Sequence, residues 1–441
     1  MMWSTRVTSM FDLFITGFLG TLLGSITAVI PGLGILTAHM MVWPYLMTLG
    51  WQELLLFYAC CLTATQFYGS VITLKLGIPG ELSSFPLLSS RPHLVKEGLI
   101  DSTVKTTVFG SAIGGIVGLF IMLSALVAVK YFPYFARAEV LLGILLTACV
   151  IITFTANNRW YINATQIVIG AFLSTVGINE LTGDIRFAFD NKWLTLGIPL
   201  LPLFVGLQIL PVVLEIPVLR KIRNEVKISL NITKHMKKIK WIDCIRHSFI
   251  GSICGLIPGA TVVLASQISH ALSLKKYKKD HVTACTAVET SNNSAAITAL
   301  MPLLFLGIPI TVSEAFILEF AEAKGFSVAG ASSPEFITSI VTALFLAIIF
   351  CTLTAFKLRT YISMFVDKFG PLVLITIVVW MIILTVSEAG KLYQIGYHTA
   401  ILTTCGAVGL LTRFKDWSPL FFTFLIFGMM EQSLGRIMIL Y

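Results

Sequence analysis

Two apolar stretches of this chain are each broken by a Pro-Gly step, and the two stretches are copies of one another. The first reads Gly24-Ser25-Ile26-Thr27-Ala28-Val29-Ile30-Pro31-Gly32. The second reads Gly251-Ser252-Ile253-Cys254-Gly255-Leu256-Ile257-Pro258-Gly259. Gly, Ser, Ile, Ile, Pro and Gly recur in register. A further pair follows them in the same order: Gly77-Ile78-Pro79-Gly80, then Gly307-Ile308-Pro309-Ile310. In lipid every backbone polar group needs a partner, and proline removes a donor from the helix ladder. A chain that places such breaks twice, in one order, inside apolar runs reads as a duplicated membrane protein with interrupted helices at its centre.

Composition agrees. Only 12% of the 441 residues are charged and 56% are hydrophobic, with a mean hydropathy of +0.88. A soluble domain carries about 25% charged residues. Apolar runs of about 17–25 residues, the span of a bilayer core, recur along the chain. The fold class is therefore an all-α polytopic membrane protein. The alternating segments of about 10 residues that mark a membrane barrel are missing. The net charge of +9 fits basic cytoplasmic loops better than a nucleic-acid partner, and none is expected. The apolar run from Phe11 past Pro31-Gly32 lacks a small-residue cleavage site and reads as structure rather than as a signal peptide. Eight cysteines lie mostly in apolar runs without a Cys-x-x-Cys pair, as expected of small packing residues.

The chain divides into an N-terminal membrane repeat (1–217), a basic cytoplasmic linker (218–245) and a C-terminal membrane repeat (246–441). The linker holds Arg220, Lys221, Arg223, Lys227, Lys234, Lys237, Lys238 and Lys240 against Glu225 and Asp243. Residues 310–335 are acidic and fall outside, whereas Lys357, Arg359, Lys368, Arg413 and Lys415 fall inside. Spans are expected at 336–357 and 371–389, among others. Counting from the linker in both directions makes the halves two inverted structural repeats of about 10–12 membrane segments in all. The Pro-Gly steps are then broken helices or re-entrant hairpins. Arg6, on the outer side, runs against this orientation.

A break frees backbone N–H and C=O groups, so half-helix N-termini face an anion and exposed carbonyls hold a cation. Polar residues flank the breaks. Tyr68-Gly69-Ser70 and Thr73 precede the first, and Glu81, Ser83 and Ser84 follow it. Glu289-Thr290-Ser291-Asn292-Asn293-Ser294 interrupts the apolar span before the second. Asn292 and Asn293 offer donors and acceptors to a carboxylate or to Na⁺; the plainer alternative is that they and Glu289 join helices. Lys75 either meets an anionic substrate or snorkels to the cytoplasmic interface. No His-Glu-x-x-His, Gly-x-Ser-x-Gly or Walker A pattern occurs, so no enzyme is expected.

With these residues in view, the chain resembles the large membrane subunit of tripartite tricarboxylate transporters, the TctA family. The stretches that carry the likeness are Gly20–Gly34, Tyr68–Ser84, Thr182–Phe189, Gly251–Gly259 and Glu289–Pro309, with Pro419, Gly428, Glu431 and Arg436. The resemblance implies a secondary transporter subunit of the bacterial inner membrane. It would import small carboxylates, of the tricarboxylate or dicarboxylate class, by symport with H⁺ or Na⁺ and without a bound cofactor. It implies a periplasmic solute-binding protein and a small membrane subunit as partners, in a lipid bilayer. By motif match, the substrate-binding positions are Pro31, Gly32, Leu33, Gly34, Gly69, Ser70, Pro79, Gly80, Glu81, Pro258, Gly259, Asn292, Asn293, Gly307 and Pro309. Departures from the family pattern stand at Thr261 and Ile310, where glycines are usual, at Tyr68, where the double-glycine motif starts, and at Lys75, where an apolar residue is usual. A smaller or differently charged substrate is consistent with them. An ion or solute channel, or a non-transporting scaffold, is the alternative function.

Overall fold

The computed structural model of the chain describes residues 10–30, 34–77, 82–125, 137–156, 158–179, 182–211, 239–257, 261–327, 333–388, 392–412 and 416–440. In the first half, α1 (Met10–Ala28), α2 (Ile35–Met41) and α3 (Trp43–Leu46) lead into the long α4 (Trp51–Leu76). Then come α5 (Phe85–Lys96), α6 (Ile100–Ala125), α7 (Ala138–Thr155), α8 (Trp160–Ser174) and a short α9 (Leu200–Phe204). The second half contains α10 (Trp241–Gly255), α11 (Thr261–Lys276), α12 (His281–Leu306), α13 (Val312–Ala323), α14 (Pro334–Glu388), α15 (Leu392–Thr412) and α16 (Ser418–Leu440). Among the described residues, seven segments are long and apolar enough to cross a membrane. The protein is an all-α polytopic membrane protein. Its outer helices turn large apolar side chains such as Phe120, Phe154 and Val168 outward, as a lipid-facing surface requires.

The described residues on either side of each Pro-Gly step form the two arms of a helical hairpin. α1 runs beside α4 in the same direction, with Gly17 against Cys60 and Gly24 against Cys61 and Ala64. α2 then returns, and the His39 ring stands 5.7 Å from Phe57 and 5.3 Å from Tyr58. The second copy repeats this. α10 lies along α12, with Gly251 against Ser291 and Gly255 against Ala295 and Thr298. α11 returns, with Ser291 Oγ donating to Ala265 O at 3.2 Å and Lys276 paired with Asp243 at 2.7 Å. Glycine is required where the arms cross: a Cβ on Gly24 would collide with the Cys61 carbonyl, and one on Gly251 with the Ser291 carbonyl. These are the first residues of the two repeated motifs. Small residues let membrane helices approach to backbone contact.

The two hairpins approach from opposite ends of the bundle. α6 begins where α4 ends, with Lys75 bonded to Asp101 at 3.0 Å. α12 runs alongside α6 in the same direction, through Thr286 to Thr106 at 2.9 Å and Gly118 against Ser294 and Ile297. α4 and α12 are therefore antiparallel. Both are buried along most of their length.

Two details refine the sequence reading. The spans expected at 336–357 and 371–389 are both found, as Pro334–Ile362 and Lys368–Ser387, within one helical stretch of 55 residues. At about 1.5 Å per residue it exceeds a bilayer core more than twofold. It doubles back. Phe336 packs on Trp51 at 5.1 Å and Arg359 reaches Asp101 at 2.8 Å, so the first part follows the length of α4. A straight continuation would carry Trp380 roughly 30 Å beyond Arg359. Instead Trp380 Nε1 donates to Met41 O at 2.9 Å, back beside α2. The reversal falls between these two contacts, in a stretch that includes Pro371. The second detail is an antiparallel strand pair, β1 (Gly177–Ile178) and β2 (Ile185–Arg186). It carries part of the Thr182–Phe189 motif. Arg186 pairs with Glu431 at 2.6 Å, so two separately recognised motif positions are in contact across the halves.

Candidate functional site

The polar run of α12 is the centre of the site. Glu289, Thr290, Ser291, Asn292, Asn293 and Ser294 are all buried. Such a run survives in an interior helix because its neighbours bring small residues and hydrogen bonds to it. α6 packs on it through Gly110 and Gly114, and Ser111 Oγ donates to Glu289 Oε2 at 3.3 Å. From α10, Ser252 and Ser294 share a hydroxyl bond of 2.6 Å, and Ser294 Oγ donates to Ser248 O at 2.8 Å. Asn293 Nδ2 turns back to Glu289 O at 2.9 Å.

Asn292 reaches out of the run to the first half of the chain. Its Nδ2 donates to Ser83 Oγ at 3.1 Å. Ser83 belongs to the turn Leu82–Ser84, immediately after the first Gly-Ile-Pro-Gly step. A residue of the second half is thus joined to the flank of a break in the first half. α11 also packs on this turn. On the turn, on α11 and on α12 are buried polar atoms with no hydrogen-bond partner among the described residues: Ser84 Oγ, Ser269 Oγ, Ser273 Oγ and Asn293 Oδ1. Buried polar groups ordinarily find partners, so these atoms suit a polar ligand. Ser269 and Ser273 were missed in the sequence. The available signal was the spacing Ser266, Ser269, Ser273, which puts three hydroxyls on one face of a helix directly after a break.

The sequence profile of the Tripartite tricarboxylate transporter TctA family matches residues 14–423. The chain belongs to that family. A curated relative from Agrobacterium vitis, described as an uncharacterized 52.8 kDa protein in the TAR-I ttuC' 3'region, is 29% identical over 311 residues. The match takes in 66% of this chain and 60% of that relative, so the chain spans less than two thirds of the relative's length. No solved structure matches. As a TctA-family chain with seven candidate spans, it is a multi-pass protein of the bacterial inner membrane.

The remaining positions expected from the TctA motifs are placed as follows. Pro31, Gly32, Leu33, Pro79, Gly80, Glu81, Pro258 and Gly259 lie outside the described residues. Gly34 precedes α2 with open space around it. Gly69 and Ser70 are inside α4, where Thr73 donates to Gly69 O at 2.8 Å and Ser70 to Phe67 O at 3.1 Å. Both groups serve their own helix. Tyr68, a departure from the TctA pattern, hydrogen-bonds Thr354 of α14. Lys75, a second departure, does not snorkel: it is fully buried. Its ammonium pairs with Asp101 at 3.0 Å, as do Arg359 at 2.8 Å and Lys105 at 3.2 Å. Arg91 closes the end of α4 by donating to Leu74 O at 2.9 Å and Lys75 O at 3.2 Å.

The second TctA break keeps its glycine turn and fills its own anion site. Gly307 ends α12 at φ 64°, as Gly77 ends α4 at φ 75°. Pro309 and Ile310 are buried. The backbone N–H groups of Ile310 and Thr311, at the start of α13, donate to Glu314 Oε2 at 2.8 and 3.0 Å. Thr311 Oγ1 accepts from Glu314 N at 3.3 Å, completing a capping box. The helix N-terminus that the sequence reading offered to a substrate carboxylate is occupied by a carboxylate of the chain itself.

Proposed function

We propose that this TctA-family chain is the translocating membrane subunit of a secondary importer of small carboxylates. The reading rests on one observation: Asn292, in the polar run of the second half, is bonded to Ser83 beside the first break. Asn292, Ser84, Ser269 and Ser273 then supply neutral donors to a carboxylate, and the site forms and parts as the two halves move. Neutral donors bind without fixing the substrate as firmly as a buried cation does, which suits a site that must also release. The ionisable group within the run is an acid, Glu289. A ligand with several negative charges is disfavoured beside it, so substrates of one or two carboxylates are expected to bind best. The substrate crosses unchanged and no bond is made or broken. A periplasmic binding protein delivers it, a small membrane subunit completes the assembly, and a proton or sodium gradient drives accumulation.

Uptake of labelled mono-, di- and tricarboxylates into proteoliposomes, with the cognate binding protein present, tests this. Saturable, gradient-driven uptake is expected. Asn292→Ala should lower it by about tenfold or more while leaving the protein monodisperse in detergent. Uptake without saturation that ignores both gradients would instead identify a channel.

A further inference from the structure

Three histidines from three elements gather about one buried hydroxyl at the end of the bundle marked by Lys275, Lys276, Lys278 and Lys279. Such a basic run places this end at the cytoplasm. His270, on the returning arm α11, has Nε2 at 2.8 Å from Ser90 Oγ of α5. The same Oγ lies 2.9 Å from Nδ1 of His281, the first residue of α12. The His281 ring stacks on His93 of α5, centroids 4.2 Å apart and planes within 6°. Ser90 is buried, His270 and His281 are half-buried, and His93 is exposed. The groups facing His281 are His93, Glu97, Asp280 and Lys279; the group facing His270 is His281.

A neutral imidazole carries one N–H and one bare nitrogen, and a serine hydroxyl has one proton to give. With Oγ between two ring nitrogens, one ring donates to Ser90 while Ser90 donates to the other. The bridge is polarised in one direction and can reverse. Burial, and then His93, lower His281 at the end of α12, so that ring is neutral near pH 7 and able to hand a proton on rather than keep it.

We propose that His270, Ser90 and His281 form a proton relay that couples transport to the proton gradient. This rests on the transport reading above. In one passage a proton is taken at Nδ1 of His270, and the proton on its Nε2 moves to Ser90 Oγ. The original Ser90 proton moves to Nδ1 of His281, and the proton on His281 Nε2 leaves to cytoplasmic water. One proton enters, one leaves and the serine hydroxyl is regenerated. His93, stacked on His281, opposes charge resting there and so favours its release. The relay joins three elements, one of them an arm of the second hairpin. Movement of that arm breaks the path, which is what coupling requires.

The test compares two modes in the same proteoliposomes: substrate exchange with no net proton movement, and accumulation driven by a pH gradient. Wild type should show both. Ser90→Ala, His270→Gln and His281→Asn should keep exchange within about twofold and lose pH-driven accumulation by about tenfold or more. Glutamine in place of a ring bonded through Nε2, and asparagine in place of one bonded through Nδ1, keep a hydrogen bond to Ser90 but pass no proton, so a merely structural clamp would survive His270→Gln with both modes intact. Variants that keep full pH-driven accumulation, or lose both modes equally, overturn the relay. Exchange by wild type with accumulation driven by sodium alone overturns it while leaving the transport reading standing. Absence of exchange in wild type overturns the transport reading and the relay with it.

Discussion

The two long helices at the centre of the molecule, α4 and α12, have the same length, 26 residues each, and the same ending. Each closes on a left-handed glycine followed by Ile-Pro, and each carries a helical hairpin pressed against it through a motif glycine. What fills them differs. α4 carries only neutral polar groups through its middle, such as Thr63, Thr65, Gln66 and Ser70, and has its charge at its end, where Lys75 joins Asp101, Lys105 and Arg359. α12 has its polar residues in the middle, from Glu289 to Ser294. The turns beyond them diverge too: the one after α4 offers Ser83 to Asn292, whereas the one after α12 is closed by Glu314. The two long helices share their backbone contacts and differ in where their charged and polar residues stand. Close backbone packing leaves few substitutions open, but polar residues can be relocated wherever a partner is available.

The comparison can be broken at several points. The largest effect is expected from Gly24→Val and Gly251→Val, each driving a side chain into a carbonyl of the long helix. Both should cost more than about 3 kcal/mol and leave little monodisperse protein in detergent. If only one is lethal to folding, the two hairpins are not equivalent. Next is Asp101→Asn, which removes the carboxylate shared by three cations. A loss of about 3–5 kcal/mol is expected in denaturant titration, partly restored when Lys75→Met is added. α12 lacks such a cluster at its end, so the two halves should respond differently to salt-free and acid conditions. Glu314→Gln weakens the capping box and should cost about 1–2 kcal/mol. If instead it raises carboxylate binding, the second break has regained its place in the site. The smallest effects are expected from Gly77→Ala and Gly307→Ala, about 1–2 kcal/mol each for the left-handed backbone, and they should be equal within error in thermal melts.

Much of this architecture was legible in the sequence because a membrane imposes strict rules on backbone groups. The apolar runs gave the spans, and the glycines that open the paired copies, Gly24 and Gly251, are where the hairpin arms rest on the long helices. The pairing of Asn292 with Ser83 was less accessible: both residues were noted, but no spacing rule relates positions so far apart. Lys75 and Asp101 are separated by a turn and another helix, so a lone cation beside a break read as a substrate contact or an interface anchor. Glu314 was counted with the outer acidic loop because sequence shows charge and not direction; only the fold reveals that its carboxylate bends back to Ile310 and Thr311. The Ser266–Ser269–Ser273 face was visible as a pattern but was hidden by the stronger signal of the run on α12.

The glycine crossings have a mechanical corollary. Where a hairpin arm rests on a neighbouring backbone, as at Gly24 and Gly251, no layer of side chains lies between them to shear or repack. Hairpin and long helix then travel as one rigid block. The slip planes of the molecule must lie elsewhere, along surfaces where side chains mesh. The bond between Asn292 and Ser83 is a side-chain contact between the two halves and lies on such a surface.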